Sequence, residues 1–154
     1  LLDQKVDKNR IGISGSSYGG FVAAIIMEDF DFVRSLVFRA PAVYPDELID
    51  THVSSIEDHE GIEKEKWLNS IAYNGIAHFK GDLLIIQSEH DEVVHPWVVE
   101  EYYKRAVNAS KRELFVLKGA KHSLIPTPEL FEKSNEITLD WFLKTLLTSL
   151  IQMN

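Results

Sequence analysis

The residues of this chain that could do chemistry fall at three places. Ser17 stands in Gly15-Ser16-Ser17-Tyr18-Gly19, an acidic run reads Glu89-His90-Asp91-Glu92, and His122 follows Gly119-Ala120-Lys121. A serine hydroxyl is a poor nucleophile until a neutral imidazole takes its proton, and a carboxylate then fixes the imidazole tautomer and stabilises the imidazolium. All three residue types are present. In the serine stretch only one register spells Gly-x-Ser-x-Gly: Ser14 would need a glycine at position 16 and Ser16 one at position 14, which leaves Ser17. Its flanks suit the part. Ile11-Gly12-Ile13-Ser14 is a short run of strand type, and Phe21 to Met27 is an apolar run that suits a buried helix, so the motif lies at a strand–turn–helix junction. A sharp, strained turn presents the hydroxyl at the end of a strand, and the flanking glycines keep Cβ atoms out of the turn.

Glycine-rich turns have other uses. Gly12, Gly15 and Gly19 also fit a dinucleotide-binding loop, but that needs an acidic residue near the end of the next strand for the ribose. The next apolar run, Val33 to Phe38, ends in Arg39-Ala40-Pro41. No lysine follows the glycines, which excludes a P-loop. A tight turn with packing glycines and no chemistry is the plain alternative. Glu89, Asp91 and Glu92 compete as the acid, and His90 and His95 compete with His122 as the base. No metal is expected, because His90, Asp91 and His95 match no tight ligand spacing. His52, His59 and His78 are expected to be surface or lid residues.

The elements that must position these groups alternate. Asp7-Lys8-Asn9, after what looks like a helix end, is a turn into the Arg10 strand, and Val33 to Phe38 reads as a second strand. Leu83-Leu84-Ile85-Ile86 is a continuous apolar run of the kind that parallel strands covered on both faces show. Leu114 to Leu117 is a fourth strand. Helices are expected over about Ile62–Ile71, from Pro96 to about Ala109, and at the end of the chain. There Leu139, Phe142, Leu143, Leu146, Leu147 and Leu150 form an amphipathic stripe. Strands alternating with helices predict an α/β fold, a parallel sheet with flanking helices. Working groups of such sheets sit in loops after the strands' C-terminal ends. Ser17, the acidic run and His122 follow the first, third and fourth strands, which puts serine, acid and histidine on one sheet edge in that order.

Composition narrows the partners. The chain has 154 residues and a net charge of −8, so nucleic acid and anionic membrane surfaces are poor partners. It has no cysteine, hence no disulfide framework and no thiolate nucleophile. No apolar run approaches the roughly 18 residues of a spanning helix.

Taken together, Arg-Ile-Gly-Ile-Ser-Gly-Ser-Ser-Tyr-Gly-Gly, then Leu-Leu-Ile-Ile-Gln-Ser-Glu-His-Asp-Glu-Val-Val, then Leu-Lys-Gly-Ala-Lys-His, resembles the C-terminal half of the α/β-hydrolase superfamily. The likeness is greatest to its esterase and dienelactone-hydrolase-like branch. It implies Ser17 as nucleophile, Asp91 as acid and His122 as base, with the Tyr18 backbone N–H as one oxyanion donor, and no cofactor. The implied activity is hydrolysis of carboxylic esters through an acyl-enzyme on Ser17. A prolyl-oligopeptidase-like serine peptidase has a similar Gly-x-Ser-Tyr-Gly-Gly and the same order, and is the alternative; a non-catalytic or incomplete homologue is the contrasting one. Gln87-Ser88 stands where the superfamily usually has His-Gly. No earlier strand supplies the second oxyanion donor, so the chain is expected to start near mid-sheet. The Ile11 strand would then need the N-terminal half of the same polypeptide, or self-association through its edge. A cytoplasmic location and a small-molecule ester substrate complete the expectations.

Residues 1–154 read as one such partial domain with a small lid-like segment at about 43–78. That segment has Asp46, Glu47, Asp50, Glu57, Asp58, Glu60, Glu63 and Glu65 against Lys64 and Lys66. Lying over the Ser17 site, it predicts discrimination against anionic acyl groups, with Trp67, Ile71 and Tyr73 as an apolar substrate wall; an acidic solvated face away from the site is the alternative.

Overall fold

The computed structural model describes residues 6–49 and 64–147. Four strands, β1 (Ile11–Ser16), β2 (Val33–Arg39), β3 (Asp82–Ser88) and β4 (Lys111–Leu117), form one parallel sheet in the order β1-β2-β3-β4. Between and after them come α1 (Tyr18–Ile25), α2 (Lys64–Leu68), α3 (Ile71–His78), α4 (Pro96–Arg105) and α5 (Pro128–Phe142). The parallel α/β sheet expected from the alternation is present.

Period-two alternation sorts the strand side chains between two cores. Leu36 and Phe38 of β2 and Leu83 and Ile85 of β3 pack with α1, α3 and α4 on one face. Val37, Leu84 and Ile86 turn to the other face, against Leu117, Leu124 and Trp141. Both middle strands are therefore covered twice, which is why Leu36-Val37-Phe38 and Leu83-Leu84-Ile85-Ile86 read as continuous apolar runs. Among the described residues β1 and β4 each have one neighbour, and Leu114, Phe115 and Val116 of β4 are exposed.

Three expectations need correction. The helix expected over Ile62–Ile71 is two helices, because the chain breaks at Asn69-Ser70. Ser70 Oγ accepts from Ala72 N at 3.4 Å, and Asp46 Oδ1 accepts from Ile71 N at 2.7 Å. Both satisfy donors at a new helix start. The helix beginning at Pro96 stops at Arg105, not near Ala109. The terminal stripe is also different. Leu139, Leu143 and Leu147 are exposed, while Leu130, Ile137 and Trp141 face the sheet with buried Ser134 between them. Positions 130, 134, 137 and 141 make an i, i+4, i+7, i+11 face, and its serine hid it behind the richer leucine pattern. Phe142 and Leu146 instead lie over β1, where a Cβ on Gly12 would come within 2.7 and 3.0 Å of them.

Asp7 folds the predicted turn, with its carbonyl accepting from Arg10 N at 3.0 Å and its carboxylate from Asn9 N at 2.9 Å. Of the helix end expected over residues 1–7, Val6 and Asp7 are not helical, and residues 1–5 lie outside the described residues, as do the middle of the lid-like segment (50–63) and Leu150.

Candidate active site

The turn between β1 and α1 is strained at one residue. Ser17 has φ 51° and ψ −118°, a positive φ that a non-glycine residue adopts at a cost of about 1–3 kcal/mol. Several bonds hold it there. Ser17 N donates to Arg39 O at 3.0 Å, and Ser17 O accepts from Gly20 N at 2.9 Å and Ala42 N at 3.0 Å. The strand end and helix start approach so closely that a Cβ on Gly15 would lie 2.5 Å from Gly19 O. Gly19 itself has open space, whereas a Cβ on Gly20 would meet Pro41 Cβ at 2.8 Å. The steric need in the motif thus falls on Gly15 and Gly20. Tyr18 opens α1, so its N–H has no acceptor within the helix.

The loop after β3 brings Asp91 inward, its side chain 4% exposed. Asp91 Oδ1 accepts from Val93 N at 3.0 Å and Val94 N at 2.7 Å. His122, in the loop after β4, places Nδ1 3.0 Å from both Asp91 oxygens and Nε2 3.0 Å from Ser17 Oγ. A carboxylate only accepts. Nδ1 therefore carries the proton, and Nε2 is left as an acceptor facing the serine hydroxyl. Residues 74 and 31 positions apart along the chain meet as Ser17–His122–Asp91, in the geometry by which an imidazole takes a serine proton.

The competing acids and bases have other partners. Glu89 accepts from Lys118 Nζ at 2.6 Å and Gly119 N at 2.8 Å; the lysine and then the backbone amide hold its carboxyl below the usual range. Glu92 Oε2 accepts from His122 N at 3.3 Å. Both carboxylates thus brace the histidine loop, and neither touches its ring. His90 is exposed, 3.6 Å from Glu89. His95 caps α4, Nδ1 accepting from Trp97 N at 3.3 Å, and the hydrogen bond to Ser17 Oγ among the described residues comes from His122.

Beside Ser17 opens a cavity of about 290 Å³, lined by Ala42, Val43, Tyr44, Trp67, Val93, Val94, His95, Trp97 and Val98. Trp67 is where the sequence put it. Tyr73 is not: it is fully buried in the core, its ring 4.8 Å from that of Tyr102 and its hydroxyl donating to Val98 O at 3.4 Å. An aromatic residue on an amphipathic helix points to the core more often than to a site, and α3 packs its apolar face on α1. Tyr44 and Trp97 hold the aromatic places instead, and the sequence signal for them was their position just after β2 and β3. Tyr44 stacks edge-on against Phe21 at 5.0 Å and Tyr18 at 5.8 Å, and burial pushes its hydroxyl pKa up. In the described part of the lid-like segment Lys66 donates to Glu47 at 2.8 Å, and Asp46 caps α3.

A parallel sheet with Ser, Asp and His in the loops after its first, third and fourth strands defines a class, the α/β-hydrolases of serine type. The sequence profile of the prolyl oligopeptidase family matches residues 2–149, and the chain belongs to that family. It is the family of the peptidase alternative, within the superfamily that the motifs implied. Solved structures agree on the fold. Acetyl xylan esterase 1 from Thermoanaerobacterium sp. superposes with a TM-score of 0.65 at 19% identity, over 92% of this chain and 47% of that one. The esterase domain of a Rhodothermus marinus protein gives 0.66 at 17%, over 88% and 60%. A candidate dipeptidyl aminopeptidase IV from Bacteroides ovatus gives 0.63 at 26%, over 92% and 20%. This chain therefore spans between a fifth and three fifths of the length of these proteins. No curated protein sequence matches it.

Proposed function

We propose that this chain carries the nucleophile, acid and base of a serine hydrolase that cleaves carboxylic esters through an acyl-enzyme on Ser17. The observation that carries the reading is the unbroken relay, Ser17 Oγ to His122 Nε2 at 3.0 Å and His122 Nδ1 to Asp91 at 3.0 Å. His122 takes the hydroxyl proton as Ser17 Oγ attacks the acyl carbon. The imidazolium, stabilised by Asp91, returns the proton to the departing alcohol. Water repeats the sequence on the acyl-enzyme, freeing the acid and Ser17. The Tyr18 N–H contributes one donor to the oxyanion.

The cavity beside Ser17 supports an acyl group with apolar or aromatic character, because Tyr44, Trp67, Trp97 and valines line it. A peptide substrate is the second reading, favoured by the family match over residues 2–149. The test is labelling by a fluorophosphonate, wild type against Ser17→Ala, followed by turnover of aryl esters and of peptidyl arylamides with the same acyl group. Labelling lost with Ser17 and ester turnover well above amide turnover is the expected result. Equal labelling of both proteins sinks the assignment, and faster amide cleavage selects the peptidase.

A further inference from the structure

Arg39 ends β2, between the strand that leads to Ser17 and the strand that leads to Asp91; its register partners are Ser16 on β1 and Ile86 on β3. Its guanidinium spans the site edge. Nη1 donates to the His122 carbonyl oxygen at 2.8 Å, and Nη2 donates to Ser16 Oγ. The other braces of the histidine loop run elsewhere: Gly119 N to Glu89, His122 N to Glu92, and His90 N to Ala120 O. All of these fasten it to the acid loop after β3. Among the described residues, the hydrogen bonds linking the histidine loop to the nucleophile strand are the Nε2–Oγ contact itself and the pair through Arg39.

Resting on the hydrolase reading, we propose that Arg39 is a positioning residue for the reaction: it fixes the distance between His122 and Ser17 by bridging the His122 backbone and the Ser16 side chain. The residue type suits the task. A planar guanidinium offers donors in a rigid fork that reaches two acceptors at once, whereas an ammonium is a point charge. The position is also costly to fill with a cation. Arg39 is half-buried, and its burial pulls the guanidinium pKa down, offset by the nearby Asp91 charge. Among the described residues no carboxylate lies within ion-pair distance of it. A cation half-buried without an ion-pair partner is disfavoured by desolvation, so its gain lies in the two acceptors it joins.

Steady-state kinetics on a small neutral ester and on an anionic analogue of it, with fluorophosphonate labelling rates and denaturation midpoints, test this. Arg39→Met should lower kcat about 10²-fold with KM within about threefold, the signature of a misplaced base. Arg39→Lys should fall between, since one ammonium cannot keep both bonds. Ser16→Ala should lower kcat on its own and add less than its full effect in the Arg39→Met background. Unchanged kcat in Arg39→Met overturns the proposal, as does a rate loss equal to the fraction unfolded. A KM increase confined to anionic esters also overturns it, because Arg39 would then be reading substrate charge. Should Arg39→Met fail to fold, unchanged kcat in both Arg39→Lys and Ser16→Ala overturns it. Wild type that neither labels nor turns over removes the hydrolase reading and this one together; wild type that labels while the Arg39 variants label equally fast removes this one alone.

Discussion

Replacing Asp91 by asparagine changes one atom and should cost most of the activity. The carboxylate is held by two backbone donors on Oδ1, Val93 N at 3.0 Å and Val94 N at 2.7 Å. An asparagine that keeps its carbonyl oxygen on those donors puts its NH₂ in the place of Oδ2, one of the two positions 3.0 Å from His122 Nδ1, and the other, Oδ1, is already taken by two backbone N–H groups. Facing a donor, Nδ1 becomes the acceptor and the imidazole proton moves to Nε2, against Ser17 Oγ at 3.0 Å. In that tautomer the ring cannot take the serine proton. Loss of the correct tautomer costs about 10⁴ in kcat, which at about 1.36 kcal/mol per decade is about 5.5 kcal/mol of transition-state stabilisation. The fold should lose far less, because the backbone bonds to Oδ1 survive. The assay is ester turnover of wild type, Asp91→Asn, Glu89→Gln and Glu92→Gln, with denaturation midpoints measured alongside. The two glutamine variants keep an amide oxygen for their backbone partners and should lose less than tenfold, in line with about 1 kcal/mol for one hydrogen bond. A larger loss in Glu89→Gln or Glu92→Gln than in Asp91→Asn refutes the assignment of the acid.

Two further outcomes concern the scaffold. Gly75→Ala should destabilise by about 1–3 kcal/mol or more through overpacking, since its Cβ would lie 2.1 Å from the backbone oxygen of Ala24 in α1; a denaturation midpoint unchanged from wild type contradicts the close approach of α1 and α3. Stability should also fall at alkaline pH. Burial raises the phenol pKa of both Tyr73 and Tyr102, the latter fully buried with its hydroxyl on Ala42 O at 2.7 Å. Below about pH 10 these phenols are neutral in both states; above it the unfolded chain holds fewer protons, so unfolding is increasingly favoured until the folded-state pKa is reached. Midpoints that stay level from about pH 9 to 11 refute the contribution, and Tyr102→Phe should flatten the alkaline fall.

Features written in local pattern were legible before any fold was known. Gly15, Ser17 and Gly19 announced a tight strand–turn–helix junction because the three elements must follow one another within a dozen residues. The apolar runs of β2 and β3 announced a parallel sheet because strands covered on both faces leave no polar alternation. Chain order then placed the serine, the acidic run and His122 on one edge. The tertiary structure decided what depends on which side chains face each other. Three carboxylates stand within four residues, and only the turn made by Val93 N and Val94 N directs Asp91 at the imidazole while Glu89 and Glu92 brace its loop. Tyr73 and Tyr44 are equally aromatic, and packing on α1 sends one into the core while the loop after β2 sends the other to the cavity. The leucine stripe from Leu139 to Leu147 is the richer pattern, yet Leu130, Ile137 and Trp141 face the sheet. Arg39 carried no signal of its own, because a hydrogen bond across 83 residues to the His122 carbonyl exists only once the loops have met.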